Sequence, residues 1–148
     1  AIKWPNDVYI GSNKVAGILI ENSIMGSVLN SSVVGIGLNV NQVEFRSDAP
    51  NPVSLAQVLG CSLELSEVIQ ILLDRFNELY AQLEDGHSDK IDSMYLDCLY
   101  RKGIWAQYSD KLGTYNGKIL GVSEIGMLQI ERENGTVSEY HFKEVVFL

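Results

Sequence analysis

Three groups of residues near the start of the chain have the types and spacing to handle an anionic small molecule. Lys3-Trp4-Pro5-Asn6-Asp7 comes first, Lys14-Val15-Ala16-Gly17-Ile18-Leu19-Ile20-Glu21 follows, and Val34-Gly35-Ile36-Gly37-Leu38-Asn39-Val40-Asn41 closes the stretch. Asn6, Asp7 and Lys14 are polar groups able to contact phosphate, and they sit inside apolar, β-type sequence. Gly17, Gly35 and Gly37 interrupt that sequence in mid-strand, where glycine weakens a sheet and marks close approach of a ligand or a second backbone. A segment that gives up strand propensity at several points gains something there, and a ligand lying flat on the sheet is the simplest candidate.

Each residue has a plainer reading beside the chemical one. Lys14 on a rigid strand can offset the repulsion between a carboxylate and a phosphate; spacing alone favours a solvated lysine beside a hairpin turn. Asp7 is a hard oxygen donor suited to Mg²⁺, or an orienting partner for Lys14 across a hairpin, or a turn former bonded to its own backbone. Asn6 divides between ligand contact and turn geometry, and Lys3 between phosphate binding and the surface. The glycines can equally mark a β-bulge. Asn39 offers a donor and an acceptor, which suits an adenine edge, or it simply ends a strand. Trp4 is read as core. His87 and His141 have no acidic or cysteine neighbour in sequence and are set aside as bases.

The elements that must position these groups follow from pattern. Ile2 to Trp4 ends a strand that Pro5 interrupts. Asn6 and Asp7 turn the chain, Val8 to Ile10 is a short strand, and Gly11-Ser12-Asn13 is a hairpin turn. Lys14 to Ser23 and Ser31 to Val40 are strands joined at Met25-Gly26-Ser27. Together they predict an antiparallel sheet with one face on a helical layer and one on the ligand. Asn41 to Asn51, with Arg46, Asp48 and Pro50, is long for a connection and suggests a functional or mobile loop. Ser54 caps a helix that Gly60 stops. Ser66 is the expected cap of a helix from Glu67 to about Glu84, whose apolar stripe reads as core. A third helix runs from Asp89 to about Tyr100. From Trp105, expected to pack on the helices, the pattern changes to short strands with turns at 115–117, 124–126 and 133–135, the signature of a small barrel.

Composition bounds the rest. The chain has 148 residues, 46% hydrophobic and 20% charged, enough for one domain or a domain plus a small module. A net charge of −8 with scattered Lys and Arg argues against nucleic acid as a partner. No apolar run is long enough to span a membrane and no signal peptide is visible. Cys61 and Cys98 lie far apart without metal-site spacing, and are expected to be reduced, buried thiols of a cytoplasmic protein.

The three motifs in series resemble the second half of the catalytic domain of the biotin protein ligases. The resemblance is specific up to about Asn41 and rests on layout beyond it. It implies an α+β fold: part of a class II synthetase-like mixed sheet with helices over 1–102, then a small SH3-like β-barrel over 103–148. It implies an ATP- and Mg²⁺-dependent ligase that forms biotinyl-AMP and transfers biotin to a lysine of a biotin carboxyl carrier protein. Lys14 then contacts the biotin carboxyl region and the phosphate, with Asp7 beside it. Lys3, Asn6, Gly17, Ile18, Leu19, Gly35, Ile36 and Gly37 contribute to the biotin and adenylate floor, and Asn39 lies near the adenylate. The family's Arg-Gly-Arg loop and its biotin-ring residues are not found in this sequence, which opens at Ala1 almost directly on the tryptophan motif. The expectations are a missing N-terminal portion, little ligase activity for this stretch alone, and homodimer formation through an unpaired sheet edge. A lipoate or octanoyl transferase relative, or a non-catalytic binding module, are the competing readings.

Overall fold

The computed structural model describes residues 1–46 and 50–148; Asp48 of the long connection lies outside them. The chain packs as two compact units, Ala1 with Asn6–Ser88, and Ile2–Pro5 with Asp89–Leu148. The architecture is α+β, as expected, with antiparallel sheets and few helices.

In the first unit β2 (Asp7–Ile10), β3 (Asn13–Met25) and β4 (Val28–Leu38) pair antiparallel in that order. Gly11 at φ 60° and Gly26 at φ 64° take the left-handed conformations that the two tight turns need. Both long strands reach further toward Gly26 than their composition indicated. β3 and β4 run in register from Ala16↔Leu38 through Gly17↔Gly37 and Leu19↔Gly35. Beyond β4, the Asn41 side chain donates to the Leu63 carbonyl (2.8 Å) and accepts from its N–H (2.9 Å), standing in for a strand partner.

Helix α1 (Leu55–Leu59) forms as its sequence indicates. The Ser54 hydroxyl accepts from the Gln57 N–H and the Gln57 side chain accepts from the Ser54 N–H, and Gly60 ends the helix at φ 75°. Helix α2 (Leu65–Glu84) begins earlier than expected. Glu64 precedes it without a side-chain cap, and the Ser66 hydroxyl bonds the Glu64 carboxylate instead of a backbone N–H. The larger correction concerns its apolar stripe: no described residue of α2 is buried, and Ile69 (55%), Phe76 (44%) and Leu83 (50%) are open. Ile20, Ile24, Met25, Val28 and Leu29 at the far end of the hairpin are open as well. Periodicity fixes which face of a helix is apolar and carries no information on what covers it. The first unit's buried residues are Tyr9, Val15, Ala16, Val40 and Ser54. Both cysteines are unpaired, as expected, but exposed rather than buried.

In the second unit β1 (Ile2–Lys3) lies beside Leu99. The Ile2 N–H donates to the Cys98 carbonyl (2.7 Å) and the Tyr100 N–H donates to Ile2 (2.8 Å). This bridge follows directly on α3 (Ser88–Asp97), which stops short of Tyr100. β5 (Trp105–Asp110), β6 (Gly113–Val122), β7 (Leu128–Arg132), β8 (Val137–Tyr140) and β9 (Val146–Phe147) form one antiparallel sheet in the order β8-β7-β6-β5-β9. Trp4, Leu99, Tyr108, Ile119, Leu128, Ile130, Tyr140 and Val145 make its core. Trp4 is structural, as read: 7% exposed, its indole N–H donates to the Gly126 carbonyl at 2.9 Å. Trp105 opens β5 and is half exposed, with the Lys118 ammonium 5.1 Å from its ring centre.

The turns at 124–126 and 133–135 form where the sequence places them, with Gly126 and Gly135 at positive φ. The turn expected at 115–117 does not. Gly117 lies inside β6, opposite Arg132, and the chain reverses at 110–113. A Cβ on Gly117 would lie 2.5 Å from Ile130 Cγ2, so this glycine permits close packing where a turn was expected.

One end of the sheet holds a part-buried polar network. Arg132 bonds Asp110 and donates to the Tyr140 hydroxyl (2.8 Å), Tyr140 donates to Asp110 (2.9 Å), and Tyr115 donates to Tyr140 (2.8 Å). Burial pushes the Asp110 carboxyl up. Hydrogen bonds from the Leu112 N–H, Tyr140 and Arg132, with the Arg132 charge, outweigh burial and hold it below the usual carboxylate range. A depressed carboxyl contributes stability that is present above its unfolded value, about 3.9, and lost as pH falls through the folded one. Both tryptophans lie in this unit, so their fluorescence reports its unfolding. The fluorescence-detected melting temperature should fall steeply below about pH 4 and do so much less in Asp110→Asn; equal pH dependence in the two proteins would count against the network.

Candidate functional site

The first unit's site is built on an irregularity in the β2–β3 pairing. Asp7 faces Gly17 and Val8 faces Ala16, but Tyr9 faces Lys14, so Val15 is an extra residue on β3. Side chains alternate along a strand, so residues 14 and 17 of a regular strand would point to opposite faces. The extra residue restores the phase. A Cβ placed on Gly17 would lie 3.6 Å from Asp7 Oδ1 and 3.7 Å from Lys14 Nζ, which puts all three on one face. The Lys14 ammonium pairs with Asp7 Oδ1 at 2.5 Å, and both side chains are about a quarter exposed. The cost of the bulge is met locally: Val15 and Ala16, consecutive in sequence, are 3% and 5% exposed.

Lys14 is also pinned along its backbone. Its N–H donates to the Asn51 carbonyl and its carbonyl accepts from the Val53 N–H, both at 2.9 Å. The first residues of β3 are therefore held by β2 on one edge and by the 51–53 segment on the other. That makes Lys14 a strand residue, held on both backbone edges just after the hairpin turn.

The glycines line up across the strands. Gly17 pairs with Gly37 and Leu19 with Gly35, so these four share the Lys14 face, and an added Cβ on Gly35 or Gly37 would meet nothing closer than a carbonyl at 3.8 Å. The floor is bare backbone. A pocket of about 330 Å³ opens on it, lined by Lys14, Gly17, Gly37 and Asn39 with Phe45 and Pro52 as a wall. That volume is at the low end for small-molecule sites. Phe45 and Pro52 were not legible in the sequence, because they lie in or beside an irregular connection with no periodic signal.

The remaining sequence candidates take different places. Ile18 faces Ile36 across β3 and β4, one residue out of phase with the glycines and so on the opposite face. Asn6 is exposed and contributes its carbonyl to the Ile18 N–H (2.8 Å). Lys3 belongs to the second unit, its ammonium 5.1 Å from the centre of the Phe147 ring. Asn39 borders the pocket, and its side-chain amide donates to the Val53 carbonyl at 3.1 Å. Among the described residues no group of three or more His, Cys, Asp or Glu side chains is placed to hold a metal.

Comparison with known proteins identifies the family. The model of the biotin/lipoate A/B protein ligase family matches residues 1–39, the segment that carries Asp7, Lys14 and the three glycines. The bifunctional ligase/repressor BirA of Bacillus spizizenii is 32% identical over 146 residues, which is 94% of this chain and 44% of that protein. The chain belongs to the biotin protein ligase family. A biotin–[acetyl-CoA-carboxylase] ligase of Paracoccus denitrificans is 38% identical over 88 residues, 57% of this chain and 37% of its own. A biotin protein ligase from Aquifex aeolicus, solved with biotin and ATP, superposes with a TM-score of 0.73 at 28% identity, over 99% of this chain and 61% of that one. The chain thus spans under half the length of these curated biotin protein ligases.

The exposure of the Lys14–Asp7 pair bounds its structural weight. Solvent-accessible ion pairs contribute about 1 kcal/mol or less, and this one keeps about a quarter of each side chain in solvent. Lys14→Ala should therefore shift urea unfolding, followed by circular dichroism, by no more than about 1 kcal/mol; a larger loss would make Lys14 a structural residue first.

Proposed function

We propose that this chain supplies the phosphate-facing part of an ATP-dependent ligase that activates biotin and transfers it to a lysine of a biotin carboxyl carrier protein. The observation that carries this reading is the Lys14 ammonium, fixed on a strand beside a bare glycine floor and paired with Asp7. The Aquifex neighbour solved with biotin and ATP supports the choice of ligands.

In the first step an oxygen of the biotin carboxylate attacks the α-phosphorus of ATP. An O–P bond forms, the α–β anhydride breaks and pyrophosphate leaves. In the second, the carrier lysine's amine attacks the acyl carbon and AMP leaves. The first step brings two anions together, and charge builds on the phosphate oxygens. Lys14, placed in advance, offsets that charge without reorganisation at the moment of reaction. Asp7 keeps the ammonium over the floor when no ligand is there. Glycine-only strands let a flat acyl-adenylate lie against backbone amides and carbonyls. Mg²⁺, when bound, would supply further charge neutralisation at the phosphates. Asp7 fits as one carboxylate toward it, in keeping with the one or two that Mg²⁺ takes from protein, and the described residues offer no fuller cage. Asn39 lies beside the pocket for the nucleotide end.

Residues 1–102 serve the adenylating part and 103–148 the barrel, in a cytoplasmic protein. Two copies pair through β4, an edge strand of 11 residues carrying exposed Val28, Leu29, Val33 and Ile36. Light scattering should show a dimer that Val33→Lys weakens by tenfold or more in dissociation constant, on the order of a buried like-charge contact; a monomer at every concentration would remove the dimer.

The decisive assay is pyrophosphate release with biotin or lipoate, in the protein as encoded. Lys14→Ala should cut biotinyl-AMP formation about a hundredfold, the scale of one lost transition-state partner. Unchanged turnover would remove Lys14 from the mechanism, and turnover with lipoate alone would reassign the substrate.

A further inference from the structure

The backbone pins on Lys14 come from a segment that is itself held by a helix cap. The Asn51 carbonyl and Val53 N–H grip Lys14, and Ser54, fully buried, follows directly and caps α1. Ser54 is fixed by Gln57: the Gln57 N–H donates to the Ser54 hydroxyl (3.2 Å), and Gln57 Oε1 accepts from the Ser54 N–H (3.0 Å). Gln57 Nε2 reaches further, to the Val43 carbonyl at 3.3 Å, in the connection that also carries Phe45. Asn39 closes the arrangement, its side chain donating to Val53 and its carbonyl accepting from the Leu55 N–H.

We infer that Gln57, through Ser54 and the 51–53 segment, is a positioning residue for the Lys14 ammonium. Gln57 is exposed and is not among the residues lining the Lys14 pocket, so it acts on the reaction through the backbone it holds. This inference rests on the proposed adenylation by Lys14. Its physical basis is that a catalytic charge must be held within about half an ångström of its productive place, and that small displacements cost large factors in rate. A strand end gripped on one edge alone would fray; the capped segment supplies the second edge.

The test is a double-mutant cycle on biotinyl-AMP formation in the protein as encoded. Gln57→Ala should lower kcat about tenfold with little change in KM, and Gln57→Glu, which keeps the acceptor for the Ser54 N–H, should restore most of it. In a Lys14→Ala background, Gln57→Ala should change the rate less than about twofold, because the group it positions is gone. A Gln57→Ala effect that persists in full without Lys14, or that Gln57→Glu does not rescue, would overturn the inference while leaving the proposed function standing. If Lys14→Ala alone has no effect, the adenylation role of Lys14 fails first, and this inference with it.

Discussion

The extra residue at Val15 is the constraint on which the rest of the site depends. Asp7 and Gly17 face each other across β2 and β3, and one skipped position between them and Lys14 decides whether the ammonium joins that face or leaves it. The structure accommodates the bulge by burying Val15 and Ala16 and by binding the other edge of Lys14 to the 51–53 segment. A bulge at this place brings a charge onto the same face as the glycines. The electrostatic device is local, and the elements that hold it are backbone hydrogen bonds, which do not depend on salt or pH in the working range.

The two units differ in how they are held together. The second has a continuous core around Tyr108, Ile119, Leu128 and Ile130, closed by Trp4 and by the Asp110–Arg132–Tyr140 network. The first has few buried residues among those described, and hydrogen bonds between separate segments cluster where Lys14 sits, among β2, the start of β3 and the capped segment before α1. The apolar surfaces of α2 and of the far hairpin remain open. A site can be well fixed inside a thinly buried unit when its own hydrogen bonds close on themselves.

Much of the site was legible because its signals are local. Pro5, Asn6 and Gly11 mark turns, the mid-strand glycines mark a bare surface, and Ser54 and Gly60 bracket a helix. What failed required knowledge of packing. Asn116-Gly117 has the composition of a turn, yet the space at Gly117 is taken by Ile130 and Tyr108, a contact distant in sequence. The stripe of α2 has the period of a core helix, and period alone does not name its cover. Ser66 looks like a cap, but the helix starts one residue before it. Ile18 and Ile36 belong to the motif and face away from the floor, because motif membership ignores the alternation of a strand. The bulge itself is invisible in sequence, since nothing in the composition of Val15-Ala16 announces a skipped pair.

The adenylation role of Lys14 depends on where a ligand meets its ammonium. A crystal structure of the protein as encoded, bound to a non-hydrolysable biotinyl-AMP analogue, tests this most directly. Lys14 Nζ should lie within hydrogen-bond reach of the phosphate, with the ligand spread over Gly17, Gly35 and Gly37. An analogue seated away from that floor, with Lys14 bonded to Asp7 alone, would contradict it.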